Sequence, residues 1–481
     1  MAFRWLTIGV LAFGSMAHAD VRTEVRYVKP KMAVNAQLPP QTLFLNKCEN
    51  GCNLKVGGAD AITDTSDLID APTTFNMYAW QGDEWNQIVQ CVREVYSPFN
   101  ITVTDVRPSN DVSYTENIVA GSSTAVGLGA DVGGVGPATG DCSALPGAVS
   151  FTFAESAVDD FAAEEAGNRV WGVCWIVAQE SAHAYGLPDH EYKFVDGQSA
   201  CSDPMTYRAD CGGQKFFRNK QAYCGGFSQQ GCICSSAVNS HLRLTNILGA
   251  GTSIIPPPDI TMTAPADGAK VTQGFNSTAM ATSQRGIGHI DLYLNNHLWA
   301  TVAGQKFGST GQYTEPYTVT APTNVPDGVI DVQLKAYDDL ETETDSATVT
   351  VTKGSPCATA DTCLTGQKCE SGKCFWDPPA GMLGDDCTYN EFCVSGTCTE
   401  SSIGQYCTQS CILNVSDACP TGFDCVATSD AQGVCLPQGG GGGGGCCSVG
   451  GQAGESNRAT WAHIGLGLFV VGLVVRRRRK R

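Results

Sequence analysis

Charge is scarce in this chain of 481 residues: only 16% are Asp, Glu, Lys or Arg, and the formal net charge is −18. With 30 Lys and Arg against 48 Asp and Glu, no basic stripe is available for a phosphate backbone, which argues against nucleic acid as a partner. Histidine is rarer still, seven in all, so any site built on imidazole has few positions to draw on. Long apolar runs are also missing. The C-terminal run from Trp461 to Val475 falls short of the roughly 20 residues of a comfortable membrane span. Cysteine is absent between Ile260 and Thr352, although the chain holds 24. Its flanks are therefore cysteine-rich, and the middle must fold without cross-links.

The ends carry targeting signals. Arg4, the apolar run Trp5 to Phe13 and the small-residue site Ala17-His18-Ala19 have the order of a cleavable signal peptide, residues 1–19, cut before Asp20. The mature chain is expected to leave the cytoplasm across the inner membrane, where paired cysteines are the default. At the other end a Gly-rich linker (438–460) containing Cys446 and Cys447 precedes the apolar segment 461–475 and the basic end 476–481. The basic end is expected to stay cytoplasmic and the segment to touch the membrane, its shortness suiting a transient stop. This order resembles the C-terminal sorting tails of myxobacterial surface proteins. The resemblance implies reading by a sortase-associated type of membrane protease, with Cys446 or Cys447 marking the processing region. The expected location is the cell envelope or surface, with release after processing as the other outcome.

Between these ends, cysteine spacing and linkers divide the chain. Residues 20–254 hold ten cysteines, an even number, and end at the proline linker "SIIPPPD". Residues 255–353 alternate apolar and polar positions in "HIDLYLN", "IDVQLKAYD" and "SATVTVT", which predicts an antiparallel β-sandwich. No catalytic cluster lies within it, and it resembles bacterial immunoglobulin-like modules. Residues 354–437 hold twelve cysteines, and "CATADTCLTGQKCESGKC" and "CTYNEFCVSGTC" repeat one theme. With so few apolar residues, this part is expected to be stapled by disulfides, with zinc-bound thiolates the lesser alternative.

The first part mixes strands, "NITVTDV" and "AVSFTFA", with two helices. In "EWNQIVQCVREVYSPF" the apolar positions Trp85, Ile88, Val89, Val92 and Val95 have a helical period ending before Pro98. "AAEEAGNRVWGVCWIVAQESAHAYG" predicts a second, with Val170, Cys174, Val177 and Ala178 on one face and Gly186 as its stop. On this helix Gln179 and His183 stand four residues apart and so share a face, with Glu180 beside it. In H-E-x-x-H two such positions hold zinc and the acid activates water; here the first His is Gln179. Extending the pattern puts Gly186 on its glycine and Asp189 on its last ligand. If Pro188 is an insertion, His190 takes that place, and imidazole is the stronger donor. "CSDPMTYRADC" then supplies Met205 and Tyr207, bracketed by Cys201 and Cys211, a pair expected to clamp this turn. Of the seven histidines, His18, His289, His297 and His463 lie outside the first part, leaving His183, His190 and His241.

The variant Q-E-x-x-H-x-x-G-x-x-D-H pattern followed by S-x-P-M-x-Y resembles the metzincin metallopeptidases. The resemblance implies an α+β protease domain with one catalytic Zn2+ held by His183, by His190 or Asp189, and by Gln179. It further implies a Met-turn at Met205, Glu180 as general base, Tyr207 as the donor to the oxyanion, and a protein or peptide substrate. An amide is a weak zinc ligand. The alternative function is therefore a non-catalytic protease-scaffold protein that serves binding or adhesion at the cell surface.

Overall fold

The structure, a computed structural model, describes residues 22–29, 37–156, 168–193, 202–208, 213–304, 316–401, 404–413, 418–428 and 432–438. The signal peptide, the sorting tail and the Cys201/Cys211 pair lie outside the described residues. Among the described residues no helix is long and apolar enough to cross a membrane. The chain is mostly β and multidomain, with two compact units dividing after Asp377.

The N-terminal part contributes β1 (Arg22–Tyr27), β2 (Gln41–Asn46), β3 (Cys52–Val56), β4 (Thr65–Ser66), β5 (Thr73–Phe75), β6 (Ile101–Thr104), β7 (Thr115–Val119), β8 (Val132–Ala138) and β9 (Val149–Thr152). Six of these form one sheet, in the order β1-β8-β9-β7-β2-β6. Its strands pair in parallel except β8 with β9. Side chains alternate across it as the two-residue period of a strand requires. Leu43, Leu45 and Val119 enter one apolar core, and Phe44, Ile118, Val135 and Phe151 enter another on the opposite face.

Helix α1 (Glu84–Tyr96) lies in the first core and buries the five apolar residues that its period predicted, ending at Ser97 before Pro98. Helix α2 (Arg169–Ala184) departs from the single-stripe expectation, because every residue from Gly172 to Ala184 is buried. The cause is close contact with β8. A Cβ on Gly134 would lie 2.6 Å from Ile176 Cγ2, and one on Gly136 would lie 2.5 Å from the Glu180 carbonyl oxygen. Only glycine at these two alternate positions lets the helix settle onto the strand. A disulfide between Cys91 and Cys174 ties the two helices together. A third helix, α3 (Ser240–Leu248), adds Leu244 and Leu248 to the same core.

The middle of the chain is the predicted sandwich. Its strands are β10 (Asp259–Ala264), β11 (Lys270–Val271), β12 (Asn276–Thr282), β13 (His289–Leu294), β14 (His297–Ala303), β15 (Tyr317–Thr320), β16 (Gly328–Tyr337), β17 (Glu343–Asp345) and β18 (Val349–Lys353). One sheet runs β10-β12-β15. The other runs β11-β18-β16-β13-β14, with β17 also on β16. Every second residue of β16 is buried, which matches the period read from "IDVQLKAYD".

The cysteine-rich part holds three units. Cys357–Cys369 with Cys363–Cys374, Cys387–Cys398 with Cys393–Cys407, and Cys411–Cys425 with Cys419–Cys435 all join first to third and second to fourth. The third unit has wider spacing, which hid its kinship in the sequence. The first unit belongs to the sandwich: Gly372 O accepts from Val329 N at 2.8 Å, and Cys374 O accepts from Asn295 Nδ2 at 2.8 Å. The compact boundary accordingly falls after Asp377.

Candidate metal centre

Helix α2 carries Gln179, Glu180 and His183, all fully buried, and ends where Gly186 adopts φ +81°. That left-handed turn needs glycine twice over, because a Cβ there would lie 2.7 Å from Cys142 O. The turn also fixes the His183 ring. Nδ1 lies 2.8 Å from Leu187 O, a carbonyl that can only accept, so Nδ1 carries the proton. The unprotonated Nε2 is left buried without a hydrogen-bond partner.

The chain then swings back and sets the His190 ring edge-on to His183, with centroids 4.8 Å apart. His190 Nε2 shares a 3.1 Å hydrogen bond with the Tyr207 hydroxyl and stacks on that ring at 4.6 Å. Phe227 stacks on Tyr207 at 5.0 Å.

Asp189 points elsewhere. Its two oxygens accept from Ile233 N at 2.8 Å and Cys234 N at 3.1 Å, a loop tied down by the disulfide Cys142–Cys234. Those amides satisfy the carboxylate, so of the two alternatives for the third ligand the structure brings His190 to the cluster and takes Asp189 away.

Met205 is fully buried in the main core. Its carbonyl accepts from Glu191 N at 2.8 Å, and its own N–H donates to Asp203 Oδ1 at 2.8 Å. Trp175 Nε1 of α2 donates to Pro204 O at 2.7 Å, so this turn is braced against the helix that carries the site.

One contact had no signal in the motif. Thr23 on β1 donates its hydroxyl to Gln179 Oε1 at 3.1 Å, and its carbonyl accepts from the Tyr207 hydroxyl at 3.0 Å. The strand β1 lies along the edge of β8, with Thr23 opposite Gly134 and Val25 opposite Gly136. A Cβ on Gly136 would lie 3.0 Å from Glu180 Oε2 and 3.1 Å from His183 Cβ, so the helix presents both residues to this strand edge.

The electrostatics follow from burial. Desolvation holds the His183 pKa at about 4 and pushes His190 well below the usual imidazole range, with the neighbouring His183 ring adding to the effect. Desolvation also drives the Glu180 carboxyl well above the carboxylate range, an effect that the Thr23 hydroxyl beside it only partly offsets. The cluster thus contains two neutral imidazoles, one with an orphaned lone pair, beside a fully buried carboxyl. These are the donor types of a zinc site with an open position, with the Gln179 amide available as a third ligand.

Other places fit a metal less well. Close triplets of cysteine sulfurs, such as Cys387, Cys393 and Cys398, lie within 4.8 Å of one another. Every one of those sulfurs is in a disulfide, which removes the thiolate a metal needs. A cavity of about 830 Å³ lies between α1 and the sandwich, lined by Gln87, Gln90, Arg93, Trp171 and Gln284 among others, and includes none of the residues of the cluster.

Comparison with known proteins bears on the sandwich. Residues 258–351 match the family described as bacterial Ig domain, which supports the immunoglobulin-like module. Among solved structures, the fibronectin(III)-like modules of CbhA from Clostridium thermocellum align at 14% identity and a TM-score of 0.15. The alignment covers 20% of this chain and 94% of that one. No curated protein matches the chain.

Proposed function

We propose that the N-terminal part is a zinc-dependent endopeptidase of an exported protein held at the cell envelope or surface. The single observation that carries the proposal is the His183 ring, which stands edge-on to His190 with its buried Nε2 left without a partner. His183 and His190 would hold the ion, with Gln179 as the weak third ligand. Zinc, when bound, supplies Lewis acidity for a water and for the scissile carbonyl. Glu180 would take the proton of the attacking water and deliver it to the leaving amine, a role that needs its ionised form, which a bound cation would favour. The Tyr207 hydroxyl donates to the developing oxyanion. An extended polypeptide enters along β8, as an added strand does at a sheet edge, in the place that β1 holds.

The test uses the full mature chain. Zinc near one equivalent by elemental analysis and casein cleavage abolished by a chelator support the proposal. Glu180→Gln is expected to lower cleavage by at least about a hundredfold while leaving zinc content unchanged. Absence of zinc would falsify the reading.

The second reading, a binding or adhesion protein on the same scaffold, draws on Thr23, which engages both Gln179 and Tyr207. Zinc at one equivalent without chelator-sensitive cleavage, even in a chain lacking β1, selects it.

A further inference from the structure

Two buried arginines and one carboxylate join the N-terminal part to the sandwich. Arg285, between β12 and β13, is 1% exposed and grips Asp339 with Nε to Oδ1 at 2.7 Å and Nη2 to Oδ2 at 2.8 Å. Arg218 of the N-terminal part, 4% exposed, lies with Nη1 3.4 Å from the same Oδ1. The loop 216–219 is tied to the sandwich through backbone groups of both partners too. Arg285 Nη2 donates to Phe217 O at 2.9 Å, Arg218 Nη1 donates to Arg285 O, and Asn219 N donates to Asp339 Oδ2 at 3.4 Å. The Arg285 guanidinium also lies 4.9 Å from the centroid of the Phe216 ring.

The same short loop grips the Met205 turn from its other side. Arg218 N donates to Asp203 Oδ2 at 2.7 Å, and Phe216 N donates to Ser202 O at 3.0 Å. Ser240 Oγ donates to Asp203 Oδ2, and Asp203 Oδ1 accepts from Met205 N at 2.8 Å. Beyond it, Met205 O accepts from Glu191 N, the residue after His190. An unbroken line of polar contacts thus runs from Asp339 through Arg218, Asp203 and Met205 to Glu191, next to a candidate ligand. A guanidinium this deep is costly without its carboxylate, so Arg218 and Arg285 make the site's platform depend on a residue of the sandwich.

We propose that Asp339 is a positioning residue for the His183/His190 site, acting through Arg218 and Asp203 on the turn at Met205, so that the immunoglobulin-like module is a structural part of the site. Its effect on metal rests on the zinc reading above; its effect on the turn does not. A plain spacer needs no buried charge pair reaching into the neighbouring part, and surface docking alone would leave Asp203 untouched.

The experiment is hydrogen exchange by mass spectrometry on the full mature chain, with Asp339→Asn and Asp339→Glu as variants and zinc retention against a chelator read in parallel. In Asp339→Asn, exchange of 202–208 is expected to rise by about tenfold while β16 keeps its protection, and Asp339→Glu restores most of it. Loss of zinc is expected to run faster in the Asn variant. Exchange that rises only at 338–342, or equally across the whole compact unit that ends at Asp377, overturns the proposal. If Asp339→Asn does not fold, Arg285→Lys, which keeps one positive charge beside Asp339 but loses the two-point grip, carries the same comparison. A wild-type chain without zinc refutes the zinc reading alone, and the exchange of 202–208 still decides the role of Asp339.

Discussion

Gln179 stands where the metal motif has histidine, and its amide is split between two fates: Oε1 accepts from Thr23, and Nε2 is buried without a partner. Replacing an amide by imidazole improves the donor for zinc. Gln179→His is therefore expected to tighten zinc by at least about tenfold, roughly 1.4 kcal/mol, in competition with a chromophoric chelator. Unchanged affinity removes position 179 from the shell. A second residue speaks to pH. Glu116, fully buried on β7, is pushed up to about 7 by desolvation, which Asn46 and Arg107 only partly offset. Its folded pKa lies above the unfolded value of 4.5, so the folded state holds its proton longer, and stability falls as pH rises from 4.5 through 7. The span corresponds to about 3 kcal/mol at most. Glu116→Gln is expected to flatten that decline in melting temperature; an equal slope in both proteins would refute the assignment.

Among the elements, β8 and α2 set the geometry, and their fit depends on absent side chains. Gly136→Ala puts a methyl 2.5 Å from the Glu180 carbonyl oxygen, where backbone has no room to yield. Overpacking of this kind costs about 1–3 kcal/mol, so a lower urea midpoint is expected for Gly136→Ala, whereas alanine at Gly140, with nothing within 4 Å, leaves it in place. These contacts also explain what was legible beforehand. Helix α1 was read correctly because one face is apolar and Pro98 punctuates its end. The one-sided reading of α2 failed because Gly134 and Gly136, forty residues upstream, admit the strand to its second face. Strand β1 went unread because "RTEVRY" alternates charge with few apolar residues, and it pairs with β8 more than a hundred residues away. The choice between Asp189 and His190 was open in the sequence, since the amides that satisfy Asp189 come from the loop at 233 and 234.

At the scale of the molecule, two ways of making a core stand side by side. The sandwich has no cysteine from Ile260 to Thr352 and relies on Ile290, Leu292, Val332 and Leu334, all essentially inaccessible. Among the described residues of the unit from Pro378 there is almost no aliphatic core; Cys387, Cys393 and Cys407, with Phe392 and Cys398 against them, form a buried cluster. There the disulfides are both the cross-links and much of the apolar interior, so reduction removes both contributions together. The alternating strands and the cysteine counts made this division readable, while the common crossed pairing of the three units was not, because four cysteines allow three connectivities. Under a reductant at neutral pH, limited proteolysis of the full chain is expected to cut first within 387–435 while 259–353 stays intact. Loss of the sandwich at the same rate as the repeats would mean that its stability does not come from its own core.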